Sequence, residues 1–178
     1  MKRVVEFIIS VLIVFTFFWL YIVVGIIVLI NLGFPILYKA KRVGKNNKTF
    51  TIYKFRTMKK NDNIPKNHVM SFLRKTNLDE FPQFFNVIEG SMSIVGPRPH
   101  DIEEDIYFQK SLPNYHLRKS VKPGVTGLSA IRGNRGGNDL KIISERVSHD
   151  LEYIEKKNLL FDMKIIFSTI ILIFRPKH

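Results

Sequence analysis

The sequence predicts an α+β fold, mainly helical with a small β element, carried on an N-terminal hydrophobic segment. Three observations carry that expectation. Residues 7–38 contain no charged side chain. One short stretch, Thr49 to Phe55, alternates and is rich in aromatic and β-branched types, as strands are. Several later stretches, at 67–73, 78–88, from about Asp101 and at 139–157, read as helices. At 178 residues the chain is long enough for one domain of about 100 to 200 residues plus an attached segment.

Between Phe7 and Ile30 only Ser10, Thr16 and Gly25 fall outside the aliphatic and aromatic set. A helix over these 24 residues would measure about 36 Å, against about 30 Å of bilayer hydrocarbon. Insertion would be favoured by roughly 6 to 12 kcal/mol. A cleavable signal has an apolar core of about 7 to 15 residues ending in small side chains. This run is longer and ends in Leu32-Gly33-Phe34-Pro35, so residues 1–38 read as a retained membrane anchor. Lys2 and Arg3 precede the run, and Lys39, Lys41, Arg42, Lys45 and Lys48 follow it. The preference of basic residues for the cytoplasmic side places the body of the protein, residues 39–178, in the cytoplasm and draws the first cluster to the same side. Either the segment re-enters as a hairpin or it spans once.

Beyond the strand, Asn61 to Pro65 reads as a polar loop, and a helix is expected from Asn67 to Leu73. A second helix is expected from Leu78 to Ile88, ended by Glu89-Gly90. Its apolar residues Leu78, Phe81, Phe85 and Ile88 share one side, and Asp79, Gln83 and Asn86 another. Gly96-Pro97-Arg98-Pro99 is an irregular turn, because prolines on both sides of the arginine restrict the backbone. A helix follows from about Asp101. Val121 to Gly137 reads as loops with a short strand near Val125 to Ile131. A charged helix is expected from Asp139 to Lys157. The apolar stretch 159–174 carries Asp162 and Lys164; it suits an interfacial helix, with a buried core helix as the alternative.

Cysteine is absent, which excludes disulfides, thiolate nucleophiles, zinc-thiolate sites and iron–sulfur clusters. Carboxylates, histidines and hydroxyls remain for chemistry. Lys and Arg total 28 against 15 for Asp and Glu, a formal charge of +13, so an anionic partner is expected. The five histidines show no metal-ligand spacing, and neither G-x-x-x-x-G-K-[ST] nor G-x-G-x-x-G occurs. Arg132 and Arg135 among glycines hold an anion or are simply solvated. The adjacent carboxylates Asp79-Glu80, just after Arg74 and Lys75, have two readings. With Asn77 as N-cap, Glu80 completes a capping box and the acids complement the helix dipole. Alternatively, a helix start with two carboxylates and a cationic pair suits a phosphate together with a divalent ion.

Five blocks carry a resemblance: Arg42-Val43-Gly44, residues 52–58 (IYKFRTM), residues 73–83 (LRKTNLDEFPQ), residues 92–99 (MSIVGPRP) and residues 122–127 (KPGVTG). In this order and spacing the chain resembles the bacterial sugar transferases, the monotopic phosphoglycosyl transferases, from about Pro35 to its end. His100 and the segment 150–154 (DLEYI) are most similar to members that move hexose-1-phosphate onto undecaprenyl phosphate. Larger relatives carry extra N-terminal membrane helices and a further domain, so the expectation here is a minimal catalytic form.

The resemblance implies a two-step phosphoryl transfer at the cytoplasmic face of the bacterial inner membrane. The carboxylate matching Asp79 attacks the sugar-bearing phosphate of a UDP-sugar and releases UMP, and undecaprenyl phosphate then takes the phosphosugar. It also implies Mg2+ with Glu80 as its protein ligand, Arg74 and Arg98 as phosphate clamps, and polar roles for Lys54, Arg56 and Asp150. Away from the family pattern, Lys54 and Arg56 read as a solvated strand end and Asp150 as a helix-surface ion pair. Membrane lipid and phosphates account for the positive charge, with no need of nucleic acid. A donor bearing an N-acetyl amino sugar is the near alternative, and a non-enzymatic basic membrane adaptor the distant one. In one place the chain departs from the family: the Ser-Pro pair that breaks the re-entrant helix is replaced near Phe18-Trp19-Leu20, and no proline precedes Pro35. Either Gly25 or tertiary contacts supply the bend, or the helix runs straight.

Overall fold

The computed structural model describes residues 2–59, 67–133 and 139–174. The polar loop expected at 61–65, and Arg135 with Gly136 and Gly137, lie outside the described residues. Among the described residues the architecture is mainly helical with two small two-stranded sheets, one antiparallel and one parallel.

The apolar run forms two helices, α1 (Lys2–Thr16) and α2 (Phe18–Leu32), bent by 61°. Among the described residues no single helix is long and apolar enough to cross a membrane. Of the bent and straight arrangements left open by the sequence, the helix is bent, at Phe17, whose φ of −101° and ψ of 20° leave the helical region. Neither proline nor Gly25 makes this bend. The Phe17 ring meets Phe81 edge-on at 6.0 Å, and Tyr21 donates its hydroxyl to the Phe81 carbonyl at 3.0 Å. Tertiary contacts therefore hold the break. Gly25 lies buried within α2, where an added Cβ would meet the Ile36 side chain at an ordinary contact distance of 3.7 Å.

Both ends of the bent pair are fastened to the rest of the protein. In α1, Lys2 pairs with Asp162 at 2.8 Å and Arg3 donates to the carbonyls of Val87 and Ile88. At the end of α2, Arg56 donates to the carbonyls of Leu32 and Gly33, both at 2.6 Å, satisfying acceptors that a helix terminus leaves open. Around the bend, Leu12, Phe15, Phe18 and Trp19 stay exposed, Phe15 at 81%.

Strand β1 (Leu37–Val43) pairs antiparallel with β2 (Thr49–Phe55), Leu37 opposite Phe55 and Val43 opposite Thr49. Only β2 carries a strand pattern in the sequence. β1 is basic and largely exposed, and it is a strand because β2 offers it an edge. β2 joins two cores: Ile52 packs with Val87, Met92, Val95, Leu128 and Ile165, while Phe55 packs with Val24, Val28, Met70 and Leu73 beneath α2. β2 thereby ties the bent helix pair to the site.

Helix α3 (His68–Lys75) starts as expected, with the Asn67 side chain accepting from the Val69 amide at 2.8 Å. The single helix expected over Leu78 to Ile88 is split into a 3₁₀ turn (Leu78–Glu80) and α4 (Gln83–Glu89), which ends at Gly90 with φ +91°. Of its two sides, the one bearing Gln83 and Asn86 turns inward: Gln83, Asn86 and Val87 are buried, and Phe85 is 40% exposed. The reason is the outer edge of β2. Arg56 donates its amide to the Ile36 carbonyl, so even-numbered residues of β2 pair with β1 and odd-numbered ones face away. Asn86 fills that edge, accepting from the Tyr53 amide at 3.1 Å and donating to the Thr51 carbonyl at 2.7 Å.

Strand β3 (Ser93–Val95) lies parallel to β4 (Gly124–Thr126). The strand expected over Val125 to Ile131 stops at Thr126, and α6 (Leu128–Ile131) follows the extended Gly127. Helix α5 (Ile102–Ser111) opens with a capping box between Asp101 and Glu104, and α7 (Leu140–Lys156) opens on Asp139. Helix α8 (Leu159–Phe174) covers the last apolar stretch and buries one side of it. Asp162 and Ile165 are buried, while Leu160 and Phe167 are 77% and 66% exposed.

Candidate active site

Asn77 adopts the left-handed conformation (φ 58°), which Asn tolerates better than most residues, and so turns the chain sharply out of α3. Asp79 and Glu80 sit on the short 3₁₀ turn that follows, and Pro82, needing no hydrogen-bond partner for its nitrogen, leads into α4. The capping-box reading fails here: the Asn77 side chain makes no cap, and Glu80 points elsewhere. Its Oε1 accepts from Lys54 Nζ at 2.8 Å and from Arg98 Nη2 at 3.1 Å. Three sequence-distant elements, β2, the 3₁₀ turn and the turn after β3, thus converge on one carboxylate oxygen.

Electrostatics separates the two acids. Burial, and then the neighbouring Glu80 charge, push Asp79 up to about 6 against the opposing pull of Lys54 and Arg74. Burial would raise Glu80 as well, but Arg98 and Lys54 outweigh it and hold this carboxyl well below the usual range. Burial lowers Lys54, with Glu80 opposing. Glu80 is therefore a fixed anion between two cations, and Asp79 a basic carboxylate that titrates near neutrality. Arg74 lies within electrostatic reach of Asp79, its guanidinium against the Met58 sulfur.

The Arg98 turn is held from behind. Arg118 donates to the Arg98 carbonyl at 2.7 Å and grips Asp150 through Nε at 3.0 Å and Nη2 at 2.6 Å. Ser129 donates to the other Asp150 oxygen. His100 stacks on Tyr115, and its Nδ1 lies 2.7 Å from the Tyr115 hydroxyl, which in turn donates to Asp105. Burial, then the charges of Arg118, Arg146, Arg98 and Arg42, keep His100 neutral far below its usual pKa. Backbone packing completes the turn: a Cβ on Gly124 would lie 2.1 Å from the Gly96 nitrogen, so only glycine fits where the two segments cross.

Of the residues singled out in the sequence, Asp79, Glu80, Lys54 and Arg98 come together, with Arg74 alongside. Asp150 sits behind Arg98 at 1% exposure, in a buried ion pair and not on a helix surface. Arg56 is engaged by the end of α2. Arg132 pairs with Glu152. Arg118, Tyr115 and Glu6 were not singled out, and Asn86 was read only as part of a polar helix side. Arg118 lies in an ordinary basic run, and only its partner 32 positions away gives it meaning. Among the described residues no group of three or more His, Asp or Glu could hold a metal. The adjacent Asp79 and Glu80 nonetheless fit magnesium, which takes hard oxygen ligands and is commonly held by one or two carboxylates plus substrate phosphates.

The chain matches the bacterial sugar transferase family over residues 1–176. It belongs to that family. Among its relatives, the UDP-glucose:undecaprenyl-phosphate glucose-1-phosphate transferase of Escherichia coli (strain K12) is 43% identical over 148 residues, covering 76% of this chain and 32% of the relative. The exopolysaccharide production protein PSS of Rhizobium leguminosarum bv. phaseoli is 39% identical over 155 residues, 77% of this chain and 76% of the relative. The UDP-N-acetylgalactosamine-undecaprenyl-phosphate N-acetylgalactosaminephosphotransferase of Aeromonas hydrophila is 36% identical over 148 residues, 76% of this chain and 34% of the relative. This family member spans about a third of the length of the first and third of these.

Proposed function

We propose that this chain transfers a sugar-1-phosphate from a UDP-sugar to undecaprenyl phosphate, releasing UMP and starting synthesis of a surface glycan. One observation carries the reading: a chain of this family presents, on one turn, a buried carboxylate, Asp79, beside a second, Glu80, held between Lys54 and Arg98. An Asp79 oxygen bonds to the sugar-bearing phosphorus while the bond from that phosphorus to the bridging oxygen breaks, and its electron pair leaves with UMP. An oxygen of undecaprenyl phosphate then bonds to the same phosphorus. The aspartyl–phosphorus bond breaks, Asp79 returns as a free carboxylate, and undecaprenyl diphosphosugar departs.

The obstacle to the first step is an anion approaching an anion. Arg98 and Arg74 bind and orient the phosphates, and Lys54 keeps Glu80 in place. Magnesium, held by Glu80 and the donor phosphates, would supply further neutralisation of charge on the diphosphate. Asp79, raised to about 6, is mostly ionised at pH 7 and more basic than an ordinary carboxylate. Asp150 acts through Arg118 on the Arg98 turn.

The same proposal places the protein at the cytoplasmic face of the bacterial inner membrane. The bent pair α1–α2 within residues 1–38 is the re-entrant anchor of a catalytic domain spanning 39–178, and the exposed face of α8 rests in the headgroup region. In support, both ends of the pair are fastened to the body while its bend is apolar and exposed. A lipid-linked phosphate lies at that plane, so the anchor sets the height of Asp79.

The test supplies the full chain in membranes with Mg2+, undecaprenyl phosphate and, in turn, UDP-glucose, UDP-galactose and UDP-N-acetyl sugars. UMP is expected from at least one donor, and an Asp79→Asn variant should release none. With that donor and no acceptor, mass spectrometry should find a sugar phosphate on the peptide holding Asp79. UMP release by Asp79→Asn at the parent rate would refute the nucleophile, and no UMP from any donor the whole reading.

A further inference from the structure

Glu6 lies in the first turns of α1, in a helix otherwise assigned only to anchoring, and yet it is 8% exposed. Its Oε1 accepts from the Ser93 hydroxyl and, at 3.1 Å, from the Ile94 amide. Among the described residues, strand β3 pairs with β4 on one side only. The Ser93 amide donates to the Pro123 carbonyl and the Gly96 amide to the Thr126 carbonyl, both across that side. The Ile94 amide points the other way, where a wider sheet would place a third strand, and Glu6 takes that place with a side chain. The carbonyl of Val95 is held similarly, by the Tyr153 hydroxyl at 3.0 Å. Tyr153 lies 2.8 Å from Asp162 and 2.9 Å from Lys2. Two residues of α1, Lys2 and Glu6, therefore complete the polar support of β3. Only Gly96 and Pro97 separate β3 from Arg98.

We propose that Glu6 is a positioning residue for Arg98: by satisfying β3 where it lacks a strand neighbour, the first turns of α1 set the Arg98 guanidinium against Glu80. The anchor thereby builds part of the site as well as holding it at the membrane, and the site forms fully only when α1 is docked. This rests on Arg98 acting as a phosphate clamp. Glutamine can accept both of the hydrogen bonds that Glu6 accepts, whereas leucine can accept neither and would bury the Ile94 amide and Ser93 hydroxyl unpaired.

The experiment is a double-mutant cycle on the full chain in nanodiscs, reading UMP release. Displacing a positioned group by about 1 Å costs up to roughly 100-fold, so Glu6→Leu is expected to lower kcat by roughly 10- to 100-fold, and Glu6→Gln by less than about threefold. In an Arg98→Ala background, Glu6→Leu should lower the residual rate by less than about twofold, because the two residues act as a unit. Equal effects of Glu6→Leu with and without Arg98 would overturn the proposal, as would a Glu6→Gln variant as impaired as Glu6→Leu. Hydrogen exchange at the Ile94 amide needs no substrate. Protection should persist in Glu6→Gln and fall at least tenfold in Glu6→Leu, and unchanged protection in Glu6→Leu would overturn it. Absence of UMP release from the parent chain would instead count against the proposed activity, leaving the exchange result to decide on Glu6.

Discussion

Asp79→Asn should remove activity and, at neutral pH, make the protein harder to unfold. Asp79 is 8% exposed, and its pKa is raised from 3.8 to about 6, chiefly by burial. Below about pH 4 the carboxyl is protonated in both folded and unfolded chains and its ionisation costs nothing. Between about pH 4 and 6 the unfolded chain releases the proton while the folded one keeps it, so stability falls as pH rises. Above pH 6 the full cost is present: about two pK units, or about 3 kcal/mol. An amide of the same shape carries no such cost. The variant should therefore match the parent near pH 4 and exceed it by up to about 3 kcal/mol at pH 8, a Tm increase of roughly 6 to 12 °C for a chain of this size. Thermal unfolding of detergent-solubilised protein in EDTA, from pH 4 to 8, measures it. Magnesium should narrow the gap, since a cation near Asp79 favours its ionised form. A stability difference independent of pH would show that Asp79 is not buried at an electrostatic cost, and would remove the physical basis for its near-neutral titration.

Two further outcomes follow from the same geometry. The kcat/KM for UMP release should fall tenfold per pH unit below about pH 6, as Asp79 takes up its proton, with no second inflection from Glu80, which stays ionised; a profile flat down to pH 5 would contradict the assignment. Asn86→Ala should lower stability by about 2 to 4 kcal/mol in urea titrations, because it leaves the Tyr53 amide and Thr51 carbonyl without their partner. A loss under 1 kcal/mol would mean that water replaces the side chain at that edge.

Much of the local structure was legible because its causes are local. Asn67, Asp101 and Asp139 cap helices whose first amides lie two or three residues on, and Gly90 ends α4 through its own backbone freedom. The carboxylates and cations of the site were legible through the resemblance of their sequence blocks to the family, since taken alone Asp79-Glu80 read equally as a helix cap and Lys54 as a solvated strand end. The orientation of α4 was not: a seven-residue helix with mixed faces can turn either side inward, and the open edge of β2 selected the polar one. Nor was the role of Asp150, whose meaning depends on Arg118.

The sequence by itself determined an apolar N-terminal run, a basic mixed body, the family's blocks and the carboxylates and cations those blocks contain. Tertiary structure alone decided where that run bends, that Lys54 and Arg98 meet on one oxygen of Glu80, and that Glu6 reaches back to support β3. The reason is one of range. Capping and periodicity act across a few residues and are written in the order of the chain. Desolvation and charge pairing depend on neighbours brought in from dozens of positions away, and these give Asp79 and Glu80 opposite electrostatic characters although they are adjacent in sequence.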